Sequence, residues 1–245
     1  MTAFSTATVE VLADAEALAR RAADWLLAAA LAKQDAFTIA LSGGSTPRRL
    51  YELLAAPPYY DAFPWSRTHW FWGDERFVPH DSAQSNFRMA CETLLSRMPI
   101  PAANVHPVPT KGLTPEEAAV EYECTLQSFY GATVLTPKRP LFDVVLLGLG
   151  AEGHIASLFP GTAILEERRR WVASVVGAKP EPRISLTYPA LNSSRQVAFL
   201  AAGESKREVL DRLFRGDTSL PAARLRPRGE LRFFLDRAAT PAHHP

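Results

Sequence analysis

The feature that most constrains this chain is the alternation of short apolar runs with longer amphipathic segments. Strands are predicted by FTIALSGG, THWFWGDERFVP, FDVVLLGLG and RQVAFLAAG, and more weakly by WVASVV, RISLT and LRFFLD. Between Leu12 and Leu31 the apolar residues recur at helical spacing. Strands that alternate with helices predict an α/β fold with a mostly parallel sheet covered on both faces.

Helix boundaries are suggested by capping residues. Thr46 and Pro47 have the residue types of an N-cap and a first helical residue, before the helical pattern RRLYELLA. Further helices are expected from about Ser85 to Arg97, from Thr114 to about Tyr130, and over SKREVLDRLF. In parallel sheets ligands bind beyond the carboxyl ends of the strands, so the residues that follow each strand are the first candidates for a site.

Composition excludes several classes of protein. The 245 residues are 47% hydrophobic and 22% charged, typical of a globular protein, and we expect one domain over residues 1–245. Lysine and arginine total 27 against 26 acidic residues, so no overall field favours nucleic acid or a membrane. Only Cys91 and Cys124 are present, and we expect buried thiols rather than a disulfide. The absence of a signal-peptide pattern or a long apolar run favours the cytoplasm.

The turn Leu41-Ser-Gly-Gly-Ser-Thr-Pro47 joins a predicted strand to a predicted helix. Backbone N–H groups at such a turn can converge on an anion, and a phosphate would suit it. The turn lacks the Gly-Lys-Ser/Thr ending of a nucleotide P-loop. The simpler alternative is a tight turn with a capping threonine.

The segment Gly148-Leu-Gly-Ala-Glu-Gly153 formally fits the dinucleotide pattern GxGxxG. That pattern opens a full crossover helix, whereas Pro160 and Gly161 would end any helix here within two turns. The next predicted strand, WVASVVG, also ends without an acidic residue for a ribose hydroxyl. We therefore do not predict a dinucleotide site.

His154 follows this glycine turn at the end of a predicted strand. An imidazole there could act as a general base near neutral pH, and Glu152 could orient the ring or raise its pKa. A lone histidine is more often structural, but the other five are less well placed: His69, His80, His106, His243 and His244. His154 is thus the catalytic candidate.

Charged residues at three further strand or helix ends are candidates for contacting a substrate. Asp74 and Arg76 end one strand, Arg183 opens RISLT, and Lys206 begins a helix. Arg76 could meet a carboxylate, a phosphate or a developing oxyanion. Solvated surface is the alternative for each residue taken singly. No spacing of His, Cys and carboxylates predicts a metal site, and the aromatic run at Trp70–Trp72 looks like sheet core.

Taken together, five segments resemble the 6-phosphogluconolactonase family in family order from about Ala36 to Ala239. They are LSGGSTPRRLYELL, FWGDERFVPHDSAQSNFRMACETLL, DVVLLGLGAEGHIASLFPG, PRISLTYPALNSSRQVAFLAAGESKREVL and LRFFLD. The WGDER and GHIASLFPG blocks are the specific ones. The resemblance implies a three-layer αβα sandwich similar to glucosamine-6-phosphate deaminase and ribose-5-phosphate isomerase, and hydrolysis of a sugar-phosphate lactone without a cofactor.

Carried over residue by residue, the resemblance implies that His154 is the catalytic histidine. The positions that match substrate-contacting residues of the family are Gly43, Gly44, Ser45, Thr46, Asp74, Arg76, Arg183 and Lys206. The family usually has Asp-Gly-His, whereas this chain has Glu152-Gly153-His154. The longer side chain keeps the charge but moves it.

Two other functions were considered. A sugar-phosphate isomerase or deaminase of the same fold would use a carboxylate base, but the segment Ser157-Leu-Phe-Pro160 departs from the deaminase pattern Phe-Asn-Glu-Pro. A sugar-phosphate-sensing module of a transcription regulator would carry a helix-turn-helix segment, and only one N-terminal helix is predicted. Lactone hydrolysis is the favoured prediction.

Overall fold

The computed structural model of this chain describes residues 6–242 and 244. The strands in this part of the chain are β1 (Thr8–Leu12), β2 (Phe37–Leu41), β3 (Thr68–Trp72), β4 (Asp74–Arg76), β5 (Phe142–Leu147), β6 (Val172–Val175), β7 (Arg183–Leu186), β8 (Ser194–Ala201) and β9 (Glu230–Asp236). The α-helices are α1 (Ala15–Ala32), α2 (Ser45–Leu54), α3 (Tyr59–Ala62), α4 (Asn86–Thr93), α5 (Pro115–Tyr130), α6 (Tyr188–Asn192) and α7 (Arg207–Phe214).

The main sheet has six strands in the order β1-β9-β8-β5-β2-β3, and every neighbouring pair is parallel. β2 and β5 are buried along their whole length, which explains their uninterrupted apolar sequences. Helices flank this sheet, so the predicted α/β fold with a mostly parallel sheet is confirmed. The carboxyl ends of β2, β3, β5 and β8 therefore lie along one edge.

A second, antiparallel sheet of order β4-β7-β6 stands beside the first. The single strand predicted from THWFWGDER is divided at Gly73, between β3 and β4. The N–H of Gly73 donates to the carbonyl of Leu41 at 2.8 Å, while its own carbonyl accepts from Leu186 N at 2.9 Å. The chain changes sheets at this glycine, and the change carries Asp74 and Arg76 away from the main sheet.

Several element boundaries differ from the predictions. β1 was not predicted; it is a short edge strand that pairs only with β9, so its burial pattern is weak. α1 begins at Ala15, where the Asp14 side chain accepts from Ala17 N at 2.8 Å. α2 begins at Ser45 with Gly44 as N-cap, so the prediction of Thr46 as cap was wrong. α5 begins after Thr114 as predicted, with a complete capping box.

The core lies on both sides of the main sheet. Trp70, Phe71 and Trp72 are at most 1% exposed, which confirms that this run belongs to the core. Both cysteines are free, but only Cys91 is half-buried, whereas Cys124 is exposed on α5, so the prediction of two buried thiols was wrong. No helix among the described residues is long and apolar enough to cross a membrane, and His243 lies outside the described residues.

Candidate active site

A cavity of about 260 Å³ opens at the carboxyl edge of the main sheet. It is formed by the segments that follow β2, β3, β5 and β8, the position that a parallel sheet favours for ligands. All the predicted site residues except Glu152 and Arg183 line it. The lining residues are Ser42, Gly43, Gly44, Ser45, Thr46, Pro47, Asp74, Arg76, Asn86, Gly148, Leu149, Gly150, His154, Ala156, Leu200 and Lys206.

One wall of the cavity is the amino end of α2. Its N-cap, Gly44, has φ of 110°, and no side chain caps the first turn, which also contains no acidic residue. The N–H groups of Ser45 and Thr46 lie in this turn, where the helix dipole favours negative charge. A Cβ at Gly43 would come within 2.1 Å of Asn86 Oδ1, so this close approach requires glycine. The wall has the form of an anion site.

The three side chains of β4 have different surroundings: one is buried in the protein, and two line the cavity. Glu75 is 1% exposed, and its carboxylate accepts from the backbone N–H groups of Arg76, Asn86 and Phe87 and from the hydroxyl of Ser85, at 2.7 to 3.1 Å. Burial nevertheless raises the pKa of this carboxyl. Because successive side chains of a strand alternate in direction, Asp74 and Arg76 point the other way, to the cavity.

Asp74 and Arg76 are both held by hydrogen bonds. Asp74 Oδ2 accepts from Ser157 Oγ at 2.6 Å, and Arg76 Nη1 donates to the carbonyl of Gln84 at 2.6 Å. The remaining guanidinium N–H groups of Arg76 make no other hydrogen bond to a described residue. This leaves a positioned cation with free donors beside the cavity.

The glycine turn after β5 brings His154 back towards the strand end. Gly150 N donates to the carbonyl of His154 at 2.9 Å, and Gly153 N donates to the carbonyl of Gly150 at 2.9 Å. Gly153 has φ of +79°, a conformation that favours glycine. The imidazole also contacts the ring of Phe159, at 4.7 Å between centroids. The turn thus fixes the imidazole in the cavity wall.

The surroundings of His154 set its protonation. Burial lowers the pKa of the imidazole, while the carboxylates of Glu152 and Asp74 act in the opposite direction. Nδ1 is buried and lies 3.3 Å from Glu152 Oε2, an ion-pair distance without the alignment of a hydrogen bond. Because the pKa lies below its ordinary value, the imidazole is mostly neutral at pH 7 and can accept a proton.

Each of the two predicted residues outside the cavity lining adjoins a residue that lines it. Glu152 contacts the buried side of the His154 ring. Arg183 is opposite Arg76 in the β4–β7 ladder, and its Nη1 is buried with no hydrogen-bond partner among the described residues. Burial and the nearby Arg76 lower the pKa of Arg183. Two adjacent guanidinium groups with unused donors favour an anion at this end of the cavity.

Lys206 approaches the cavity from the other side. It ends the 3₁₀ turn Glu204–Lys206 that precedes α7, whereas the sequence predicted it within the first turn of that helix. Its ammonium group makes no hydrogen bond or ion pair with a described residue, so it is available to a ligand. Within the described part of the chain, no three His, Cys, Asp or Glu side chains converge to hold a metal ion.

Three residues near the site were missed from the sequence. Asn86 lines the cavity, Ser157 binds Asp74, and Lys179 binds Glu152. Each is distant in sequence from the residue that it contacts, so no local pattern identified it. Asn86 and Ser157 do lie inside segments that carry the family resemblance, which was the one available signal.

A larger cavity, of about 1140 Å³, lies elsewhere and contains none of the predicted residues. Its walls include Ser193 and Arg228, which lie just before the amino ends of β8 and β9, so it opens at the opposite edge of the main sheet. Although it is larger, no histidine lines it, and we assign the chemistry to the smaller cavity. Its arginines are Arg168, Arg169, Arg170, Arg224, Arg226 and Arg228.

Comparison with known proteins decides the family. Residues 13–233 match the family model for glucosamine-6-phosphate isomerases/6-phosphogluconolactonase. The chain belongs to this family. One relative is a protein from Nostoc sp. named 6-phosphogluconolactonase. It is 45% identical to this chain over 239 residues, which cover 95% of this chain and 96% of the relative.

Other members of the family are similar over most of their length. A chloroplastic 6-phosphogluconolactonase of Arabidopsis thaliana is 37% identical over 215 residues, covering 85% of this chain and 66% of the relative. The crystal structure of 6-phosphogluconolactonase from Thermotoga maritima superposes with a TM-score of 0.81 at 34% identity, covering 94% of this chain and 100% of that one. A monomeric glucosamine-6-phosphate deaminase superposes with a TM-score of 0.79 at 20% identity, covering 95% and 98%, and shows the shared fold alone.

Proposed function

We propose that this chain hydrolyses 6-phospho-D-glucono-1,5-lactone to 6-phospho-D-gluconate, a reaction of the oxidative pentose phosphate pathway. The observation that carries the proposal is the imidazole of His154, which partial burial keeps mostly neutral in the wall of a cavity that also holds Arg76. A neutral imidazole beside a fixed cation suits attack of water on an ester carbonyl. The family relatives that carry the name 6-phosphogluconolactonase support the same reaction.

In the proposed reaction His154 acts first as a base and then as an acid. It takes a proton from water as the water oxygen bonds to the lactone carbonyl carbon. The tetrahedral intermediate then collapses, the bond from this carbon to the ring oxygen breaks, and the imidazolium returns a proton to the ring oxygen. Because Nδ1 is buried against Glu152, we assign the proton transfers to Nε2. Help of this kind increases a rate by about 10²- to 10⁴-fold.

Arg76 is proposed to stabilise the oxyanion of the intermediate. Arg76 lines the cavity that contains His154, and its Nη1 is anchored to the carbonyl of Gln84. A donor that is already in place loses little reorganisation energy when negative charge develops. Asp74, held by Ser157, would bind a substrate hydroxyl as an acceptor.

The 6-phosphate is proposed to bind at the amino end of α2. Gly43, Gly44, Ser45 and Thr46 supply backbone N–H groups and hydroxyls there. Lys206 would add a point charge and Arg183 a second cation. No cofactor enters the proposed reaction. A cytoplasmic location also remains a prediction, since plant relatives are named chloroplastic.

The experiment that tests the function compares the wild-type protein with H154A. Freshly generated 6-phosphogluconolactone is supplied, and formation of 6-phosphogluconate is followed with the spontaneous rate subtracted. We expect hydrolysis by the wild type and a loss of about 10²-fold or more in the variant. Equal rates would keep the function and remove His154 as base. No activity in either, with ammonia released from glucosamine 6-phosphate, would identify a deaminase instead.

A further inference from the structure

One carboxylate links the proposed catalytic histidine to a lysine on another loop. Glu152 Oε2 lies 3.3 Å from His154 Nδ1, and the other oxygen, Oε1, accepts from Lys179 Nζ at 2.9 Å. Lys179 belongs to the connection between β6 and β7, far in sequence from the glycine turn. The imidazole is thus the end of a chain of three side chains.

The ring of Phe159 contacts two of these three side chains, His154 and Lys179. Lys179 Nζ lies over the ring of Phe159, at 5.1 Å from its centroid, and the other partner of that ring is His154, at 4.7 Å. Phe159 is 6% exposed and therefore fixed. A cation above a buried ring is attracted to its face, so the lysine has two reasons to remain beside Glu152.

We propose that Lys179 is a positioning residue, which binds one oxygen of Glu152 and so holds the other against Nδ1 of His154. The inference rests on the proposed function, because it assigns a role around the same imidazole. Glu152 and Lys179 side chains are each 39% exposed, so neither is held by burial alone. A free glutamate side chain would sample several rotamers, and the lysine selects one of them.

The ion pair with Lys179 matters because residue 152 is a glutamate, whose side chain is flexible. This side chain has one methylene more than that of an aspartate and therefore an additional rotatable bond between backbone and carboxylate. That bond allows the carboxylate to turn relative to the imidazole while remaining next to it. An ion pair on its outer oxygen restricts this rotation and keeps a negative charge 3.3 Å from Nδ1, which favours the tautomer with the proton on Nδ1.

The arrangement also predicts the direction in which each substitution moves the titration of His154. The charged groups around this ring are Glu152 and Lys179 behind it, Asp74 and Arg76 on β4, and Lys206 across the cavity. The positive charge of Lys179 opposes protonation of the imidazole. Lys179 also binds Oε1 of Glu152, the carboxylate that favours this protonation. Removing the lysine should raise the pKa of His154, whereas removing the carboxylate should lower it.

The test measures the His154 titration by NMR of the imidazole in the substrate-free protein, for wild type, K179M, E152Q and the double variant. We expect K179M to raise the apparent pKa by about half a unit and E152Q to lower it by a similar amount. In the E152Q background K179M should raise the pKa by less than it does in the wild type, because only the direct charge effect of the lysine is then removed and not its hold on Glu152. This readout needs no lactone, so it stands even if the proposed function fails.

Activity provides the second readout. In the lactone assay we expect K179M to reduce kcat by about 10-fold with little change of KM, and to move the acid limb of kcat to higher pH. K179R, which keeps the charge, should restore most of the rate. K111M, a change of an exposed lysine with no contact to the site, is the matched control and should behave as wild type.

Two results would overturn the role of Lys179. One is an unchanged His154 titration in K179M; the other is the same displacement by K179M whether or not Glu152 is present. A loss of rate in K179M that K179R does not recover, with normal titration, would likewise assign the lysine to substrate binding rather than positioning.

Discussion

The imidazole of His154 lies against the α-carbon of Gly150. A Cβ built on this glycine would come within 1.9 Å of Nδ1 and 2.0 Å of Cε1. Real Cβ atoms do not approach other atoms so closely, and the ring is confined on its other side by Phe159. We therefore expect G150A to displace the imidazole and to reduce kcat by about 10²-fold, as measured in the lactone assay.

The control for this prediction is the double variant G150A/H154A. If the alanine acts through the ring, the double variant should be no slower than H154A, because residues that act as a unit are not additive. A G150A protein with normal kcat would show that displacement of the imidazole does not reduce activity. Circular dichroism would check that both proteins keep their fold.

Lys206 should determine selectivity for the phosphorylated substrate. Its ammonium group lines the cavity and has no ion pair with any residue between 6 and 242 or with residue 244. Loss of a charge-assisted hydrogen bond costs about 1.5 to 3 kcal/mol, so K206Q should raise KM by about 10- to 100-fold. With unphosphorylated glucono-1,5-lactone the two proteins should be equal, and an equal loss on both lactones would contradict phosphate binding.

Glu75 is expected to stabilise the fold rather than to act on substrate. In E75Q one acceptor oxygen becomes a donor that faces the N–H group of either Asn86 or Phe87, so a hydrogen bond at the start of α4 is lost. We expect the free energy of unfolding, measured with urea, to fall by about 2 to 3 kcal/mol. The matched control is E92Q, an exposed glutamate paired with Arg88, which should change stability by less than about 1 kcal/mol.

His106 should make stability depend on pH. Burial and the neighbouring His69, whose Nδ1 lies 3.1 Å from His106 Nε2, lower the pKa of His106 to about 4. Between pH 6.5 and about 4 the unfolded chain therefore holds more protons than the folded one, and stability decreases as the pH falls through this window. Above pH 6.5 the contribution of His106 to the free energy of unfolding no longer changes with pH.

The variant H106F tests this dependence, because a phenyl ring can keep the stacking on Phe71, which has a centroid distance of 4.3 Å. The loss of unfolding free energy between pH 7 and pH 5 should be smaller in H106F by about 1 kcal/mol, after allowance for solvent screening of a partly exposed ring. Identical pH dependence in both proteins would assign the titration to other groups.

The sequence by itself determined the fold class and most of the candidate site. Fully apolar runs such as FTIAL must be buried on both faces, and parallel strands place their carboxyl ends on one edge. For that reason chain order directed attention to the residues that follow β2, β3, β5 and β8. The family resemblance then selected Ser45, Asp74, His154 and Lys206 among them, and these four residues line one cavity.

The tertiary structure decided what depends on contacts between distant segments. The division of THWFWGDER at Gly73 follows from hydrogen bonds to two different sheets, and β1 exists because β9 offers it an edge. The ion pair of Lys179 with Glu152 joins two loops whose meeting no local pattern encodes. Periodicity and capping describe interactions within a few residues, whereas the geometry around His154 is set by the packing of the whole chain.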